Sequence, residues 1–149
     1  MRINILQVVM AAMLSVPAQA GTFETLDKIA EDADVHNGFA AAGKYDVKTF
    51  SIANKIAEMK KADAESESDC RYNYTVGRRY ALIMIESDFV EDEYTAEALK
   101  KLHKKKLFKT AITREWDGQS GDSEYCMIYE AWFYTVDGFY LYLEYNFTT

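Results

Sequence analysis

The strongest constraint in this sequence is the dipeptide Asp137-Gly138, which stands between two runs rich in aromatic and aliphatic residues. Asp-Gly is preferred in two-residue hairpin turns because both positions tolerate a positive φ. Residues 124–136 and 139–147 are therefore predicted to be antiparallel strands, and residues 107–116 are predicted to be the preceding strand of the same meander. A chain that ends in such a meander folds around an antiparallel sheet.

A two-residue turn would also fix the register of this hairpin, because side chains alternate between the two faces of a sheet. The predicted core face pairs Val136 with Phe139, Tyr134 with Leu141, Trp132 with Leu143, Glu130 with Tyr145 and Ile128 with Phe147. The opposite face is predicted to carry Tyr125, Tyr129, Phe133, Tyr140 and Tyr142. In this register Glu130 and Glu144 lie on opposite faces, so they are not predicted to share an active site.

Upstream of the meander, several segments have the 3.6-residue spacing of amphipathic helices. Helices are predicted over residues 22–33, from Asp46 as N-cap to about residue 61, and over residues 91–105, where acids at the start and lysines at the end match the helix dipole. Residues 35–43 are predicted to be a loop.

The predicted order of elements is α-α-β-β-α-β-β-β. Residues 71–76 alternate as a strand does. Residues 79–86 are predicted to be its hairpin partner, with a helix over residues 78–89 as the alternative. The fold class is therefore α+β, with an antiparallel sheet and helices packed on one face. This order resembles the layout of small exported α+β domains such as cystatin-like cones, without a shared residue motif.

Residues 1–20 have the composition of a secretory leader. An arginine precedes an apolar run over residues 5–16, and Ala18 and Ala20 are the small residues that signal peptidase prefers. A membrane-spanning helix needs about 20 apolar residues, which is more than this run provides. We therefore expect cleavage, with residues 21–149 forming one domain that is periplasmic or secreted and has no membrane span.

Export affects how the two cysteines are interpreted. The sequence has two cysteines, Cys70 and Cys126. In an oxidising compartment they are expected to form a disulfide. A zinc site is the alternative, but these cysteines and the distant His36 and His103 lack the close ligand spacing of such sites. No metal or cofactor is predicted.

The charge balance limits the class of partner. The chain has 17 Lys+Arg and 24 Asp+Glu residues, and loss of residues 1–20 with their one arginine changes its formal charge from −7 to −8. An acidic chain is repelled by nucleic acid phosphates and attracted to basic proteins. A basic exported protein is therefore the expected partner, nucleic acid is not, and the oligomeric state stays open.

The sequence contains none of several common enzyme motifs. It has no G-x-S-x-G, no H-E-x-x-H and no phosphate-binding glycine loop. The acidic stretches 63–69 and 117–122 lack the alternating ligand pattern of a calcium loop. These absences favour a protein that is not an enzyme.

Two hypotheses about function follow from the aromatic residues. In the first, the face carrying Tyr125, Tyr129, Phe133, Tyr140 and Tyr142, or an acidic loop, binds a basic protein, as inhibitor or immunity proteins do. In the second, the domain is a cone-shaped small-ligand-binding protein or small hydrolase with an aromatic pocket. An exposed flat patch would favour the first hypothesis, and a concave pocket of several hundred Å³ would favour the second.

Overall fold

The described part of the chain is a single sheet with helices. The computed structural model describes residues 21–33, 39–66, 68–77, 79, 93–122, 125–126 and 129–145. Within these residues the helices are α1 (21–33), α2 (Ile52–Glu65) and α3 (Glu93–Lys104), and the strands are β1 (Ala40–Lys44), β2 (Tyr72–Val76), β3 (Phe108–Trp116), β4 (Tyr129–Thr135) and β5 (Phe139–Tyr145). The strands form one antiparallel sheet in the spatial order β1-β5-β4-β3-β2. The α+β class is confirmed.

Strand β1 lies where the sequence predicted a loop. Its residues are mostly Ala and Gly, which have low β propensity. The extended conformation is therefore stabilised by its pairing with β5. Gly43 is required here because a Cβ at this position would stand 2.6 Å from the ring of Tyr140. Of residues 78–89, for which strand and helix were alternatives, all but residue 79 lie outside the described residues.

Helix α2 begins five residues later than predicted. Ser51 is the N-cap and accepts a hydrogen bond from the N–H of Asn54 at 3.2 Å. Asp46 instead closes a turn, in which its side chain accepts from the N–H of Lys48 and its carbonyl accepts from the N–H of Phe50. Aspartate is favoured in turns as well as at N-caps, so the sequence pattern did not separate the two.

The register of the β4–β5 hairpin differs by one residue from the predicted one. Residues 136–138 form a three-residue loop, Tyr134 pairs with Tyr140, and Trp132 pairs with Tyr142. A slip of one residue moves the side chains of a strand to the other face. The predicted faces of β4 are therefore wrong, whereas β5 keeps its predicted orientation.

The side chain of Thr135 explains the longer loop. Its Oγ1 accepts a hydrogen bond from the N–H of Phe139 at 3.0 Å and donates to the Asp137 carboxylate at 2.5 Å. Gly138 has a φ of +94°, the conformation in which three-residue hairpin loops favour glycine. Asp-Gly therefore marks the hairpin correctly but occupies the last two positions of a three-residue loop.

Both faces of the sheet are covered, whereas the sequence predicted helices on one face. The larger core lies on the side of α1 and α3 and buries Leu26, Ile29, Leu99, Leu102, Phe108, Ala111, Tyr129, Ala131, Phe133, Leu141 and Leu143, among others. The smaller core lies on the side of α2 and buries Met59, Ile112 and Tyr134. Helix α2 thus encloses a second, aromatic layer over the opposite face.

The predicted disulfide is confirmed. Cys70 and Cys126 are bonded with a Cα–Cα distance of 5.6 Å, and Cys126 is buried. The bond joins the segment before β2 to the segment before β4. In the described part of the chain, no helix is both long and apolar enough to cross a membrane.

Candidate ligand-binding pocket

A concave pocket of about 310 Å³ opens on the face of the sheet that α2 covers. Five aromatic residues and one lysine line it: Tyr45, Phe50, Lys55, Trp132, Tyr134 and Tyr140. Ligand sites are typically concave, largely apolar and of about 300–1,000 Å³. This pocket is at the small end of that range.

The sheet supplies the floor of the pocket through the alternation of β4 and β5. Trp132 and Tyr134 share one face of β4, and Tyr140 is the cross-strand partner of Tyr134. Tyr140 also lies across Gly43 of β1, which leaves room for the ring. The absence of a side chain at Gly43 therefore helps to shape the floor.

The segment between β1 and α2 supplies the wall. The rings of Tyr45 and Phe50 lie 5.1 Å apart in an edge-to-face arrangement, and the ring of Phe50 lies 4.3 Å from that of Tyr134. Tyr45 is fixed at both ends, since its hydroxyl donates to the Thr135 carbonyl and its N–H donates to the Gly138 carbonyl. The wall is therefore anchored to the hairpin loop before a ligand arrives.

The electrostatic setting of the pocket favours neutral tyrosines. Burial raises the pKa of Tyr134, with smaller contributions from Tyr140, Tyr45 and Glu58. Burial, followed by the Asp137 carboxylate, also raises the pKa of Tyr45. Both phenols therefore stay protonated at physiological pH, and the proton of the Tyr45 hydroxyl is donated to the Thr135 carbonyl.

A charged network borders the pocket beyond Trp132. Arg114 donates to Asp63 of α2 at 2.5 and 3.1 Å and to Glu130 of β4 at 2.8 Å. Its guanidinium lies 3.8 Å from the ring centroid of Tyr72. Because this arginine joins α2 to two strands, the network holds the helix against the sheet next to the pocket.

The two glutamates that the sequence placed on opposite faces are direct cross-strand partners. Glu130 pairs with Glu144 in the observed register, so the expectation that they lie apart is wrong. Each carboxylate nevertheless has a partner, because Arg114 binds Glu130 and the Tyr142 hydroxyl donates to Glu144 at 2.9 Å. Burial raises the pKa of Glu130 while Arg114 lowers it, with the net direction upward.

Replacing Glu130 with glutamine is expected to change how stability depends on pH. A carboxyl group with a raised pKa stabilises the fold most below its ordinary pKa of 4.5, and this contribution is lost as pH rises through the folded-state pKa. The free energy of unfolding of Glu130→Gln minus that of wild type should therefore grow as pH rises above 4.5. Urea denaturation between about pH 4 and 8 measures it.

The control for this experiment is Glu115→Gln, which removes one carboxylate from an exposed position of β3. A difference for Glu130→Gln that shrinks with rising pH, or that follows the control variant at every pH, would contradict the assigned direction.

The five residues predicted to form one binding face are separated by the fold. Tyr129 and Phe133 are buried in the larger core at 5% and 0% exposure. Tyr140 and Tyr142 lie half-buried on the opposite face, and Tyr125 is 79% exposed outside the strands. The expectation that these residues share one face is wrong, because it depended on the two-residue turn.

Sequence reasoning missed most of the pocket. With a three-residue turn, the same alternation argument would have placed Trp132 and Tyr134 beside Tyr140. Tyr45 and Phe50 follow a strand that the sequence did not predict, so no pattern connected them to the hairpin. Of the predicted site residues, Tyr140 lines the pocket and Tyr142 packs against Trp132 with ring centroids 5.0 Å apart.

A second cavity of about 430 Å³ lies at the start of α1. It is lined by Gly21, Thr22, Thr25, Leu102, Lys105, Leu107 and Asp137. None of these lining residues is aromatic, so the cavity offers no ring against which a ligand could pack. The aromatic pocket is the better candidate site.

Comparison of the chain with protein-family models, curated proteins and solved structures finds no match. Among the described residues there is also no cluster of three His, Cys, Asp or Glu side chains that could hold a metal ion. The pocket is therefore identified as a candidate site from its geometry alone.

Proposed function

We propose that this protein binds a small ligand in the aromatic pocket between α2 and the sheet. The observation that carries the proposal is the 310 Å³ concavity whose lining is aromatic except for Lys55. Aromatic rings offer a large apolar area with little loss of side-chain entropy, and tyrosine adds a hydroxyl that fixes orientation. The anchored position of Tyr45 supports the proposal, because a site that exists before binding loses less entropy when the ligand arrives.

The pocket is favoured over a protein-docking face by the distribution of the aromatic residues. A flat docking patch needs several large side chains exposed together. Of the residues predicted for such a patch, Tyr125 is highly exposed, whereas Tyr129 and Phe133 are buried in the core. The hypothesis of an inhibitor or immunity protein with a basic partner therefore has less support than ligand binding.

We also propose that the protein acts after export, in the periplasm or outside the cell. The leader-like composition of residues 1–20 and the Cys70–Cys126 disulfide support this location, since disulfides persist in oxidising compartments. In that setting the protein would bind a compound present outside the cytoplasm.

Binding of the neutral dye N-phenyl-1-naphthylamine tests the pocket. Its fluorescence should increase on addition of the protein and should saturate at one dye per chain. Trp132→Leu removes the largest ring of the pocket, so the dissociation constant should rise at least about tenfold, which is about 1.4 kcal/mol. Circular dichroism would establish that the variant is folded.

Tyr125→Ala is the matched control, since it removes an aromatic residue that is 79% exposed and outside the pocket. It should leave the dissociation constant unchanged. Absence of saturable binding to wild type, or an equal loss in both variants, would overturn the proposal.

A further inference from the structure

The pocket contains one charged residue, and its surroundings indicate which ligands fit. Lys55 is half-buried on α2, and its Nζ lies 5.8 Å from the ring centroid of Trp132. The other five lining residues are aromatic and uncharged. A cation therefore stands at the edge of an otherwise neutral pocket in a chain with a formal charge of −7.

The ammonium of Lys55 is weakly held. In the described part of the chain it forms no ion pair within 4 Å, and its contact with Trp132 is near the outer limit of about 6 Å for a cation–π interaction. By comparison, the half-exposed Lys100 has Glu97 at 3.9 Å, and Arg114 has two carboxylates. The charge of Glu58 makes a small contribution to the raised pKa of Tyr134, but Glu58 does not line the pocket. Lys55 is thus free to pair with an incoming anion.

We infer that the ligand is a small, flat ring compound with one anionic group. This inference depends on the proposed function of the pocket. The ring packs among the five aromatic side chains, which prefer offset or edge-to-face contacts with another ring. The anion pairs with the Lys55 ammonium in a charge-assisted hydrogen bond, which is stronger than a neutral one.

A cationic ligand is the opposite possibility, because boxes of aromatic rings also bind ammonium groups. In this pocket, however, the face of Trp132 already has the Lys55 ammonium over it. A second cation would meet like charge at short range and would lose affinity. The sign of the ligand charge is therefore a direct test.

Three naphthalene derivatives of similar shape provide that test: 2-naphthoate, 2-naphthamide and 2-naphthylmethylammonium. Calorimetric titration of the protein should give a dissociation constant for 2-naphthoate at least about tenfold lower than for the amide, and the weakest binding for the ammonium compound. Lys55→Met keeps the aliphatic part of the side chain and removes the charge. It should abolish the preference for the anion, so that the dissociation constants of 2-naphthoate and 2-naphthamide become about equal.

Lys60→Met is the matched control on the same helix. The Lys60 Nζ lies 5.6 Å from the ring of Tyr74, outside the pocket, so this variant should retain the full preference for the anion. Equal binding of anion and amide by wild type, tighter binding of the cation, or a preference that persists in Lys55→Met would overturn the inference while leaving the pocket as a binding site. Failure of all three compounds to bind would overturn the proposed function as well.

Discussion

Replacing Phe133 with alanine is expected to lower the free energy of unfolding by about 3–5 kcal/mol, the usual cost of removing a large buried ring. Phe133 is fully buried in the core between the sheet and helices α1 and α3, with the ring of Phe108 at 5.3 Å. The variant would leave a cavity in the core, because the packed sheet and helices on either side of it cannot move together to fill the space. Urea denaturation of wild type and variant measures the difference.

Trp132→Ala is the informative comparison, because the predicted and observed registers exchange the two residues. In the observed register Trp132 is half-buried beside the pocket, so its loss should cost less than that of Phe133. Tyr125→Ala, at a position that is 79% exposed, should change stability by less than about 0.5 kcal/mol. A larger loss for Trp132→Ala than for Phe133→Ala would contradict the observed register.

The predicted register of the β4–β5 hairpin was wrong because the length of its loop was wrong. Asp137-Gly138 identified the hairpin, the strands on either side and the orientation of β5. The loop length depended on Thr135, whose hydroxyl binds the Phe139 N–H across the loop and adds Val136 to it. Such a side-chain interaction has no periodic signal, yet it moves β4 by one residue and turns it over.

The other features differ in whether they depend on local sequence or on contacts with distant parts of the chain. Local spacing predicted the buried stripe of α1, and local charge predicted the basic end of α3. The disulfide was predicted from the two cysteines and the expected export. These three features agree with the structure. Strand β1 has an Ala- and Gly-rich sequence and is ordered by its pairing with β5. Because Tyr45 and Phe50 follow β1, the wall of the pocket could not be predicted until that pairing was known.

Replacing Arg114 with methionine should be the second strongly destabilising change, with a loss of about 3 kcal/mol at pH 7, at the lower end of the range for breaking a buried ion pair. Methionine has an unbranched side chain like the aliphatic stem of arginine but none of its donors. It would leave Glu130, whose side chain is 5% exposed, and Asp63, at 20%, without their cation. The cost arises from carboxylates that are removed from water and left uncompensated.

The dependence of this loss on pH distinguishes its cause from a simple packing defect. Arg114 lowers the pKa of the buried Glu130, so in Arg114→Met this carboxylate should take up a proton more readily as the pH falls, and the loss relative to wild type should decrease. Arg114→Lys should recover part of the stability, because it restores the charge without the planar fork that binds two carboxylates.

The control for Arg114→Met removes the cation of a solvent-exposed ion pair. Lys100 and Glu97 lie 3.9 Å apart on α3 with both side chains at least half exposed, so Lys100→Met should cost less than about 1 kcal/mol. If Arg114→Met cost no more than this, or if its loss were the same at pH 4 and pH 7, the network would not be what holds α2 on the sheet. Because α2 carries Lys55, a real loss at Arg114 should also reduce the preference for 2-naphthoate over 2-naphthamide, although Arg114 does not line the pocket.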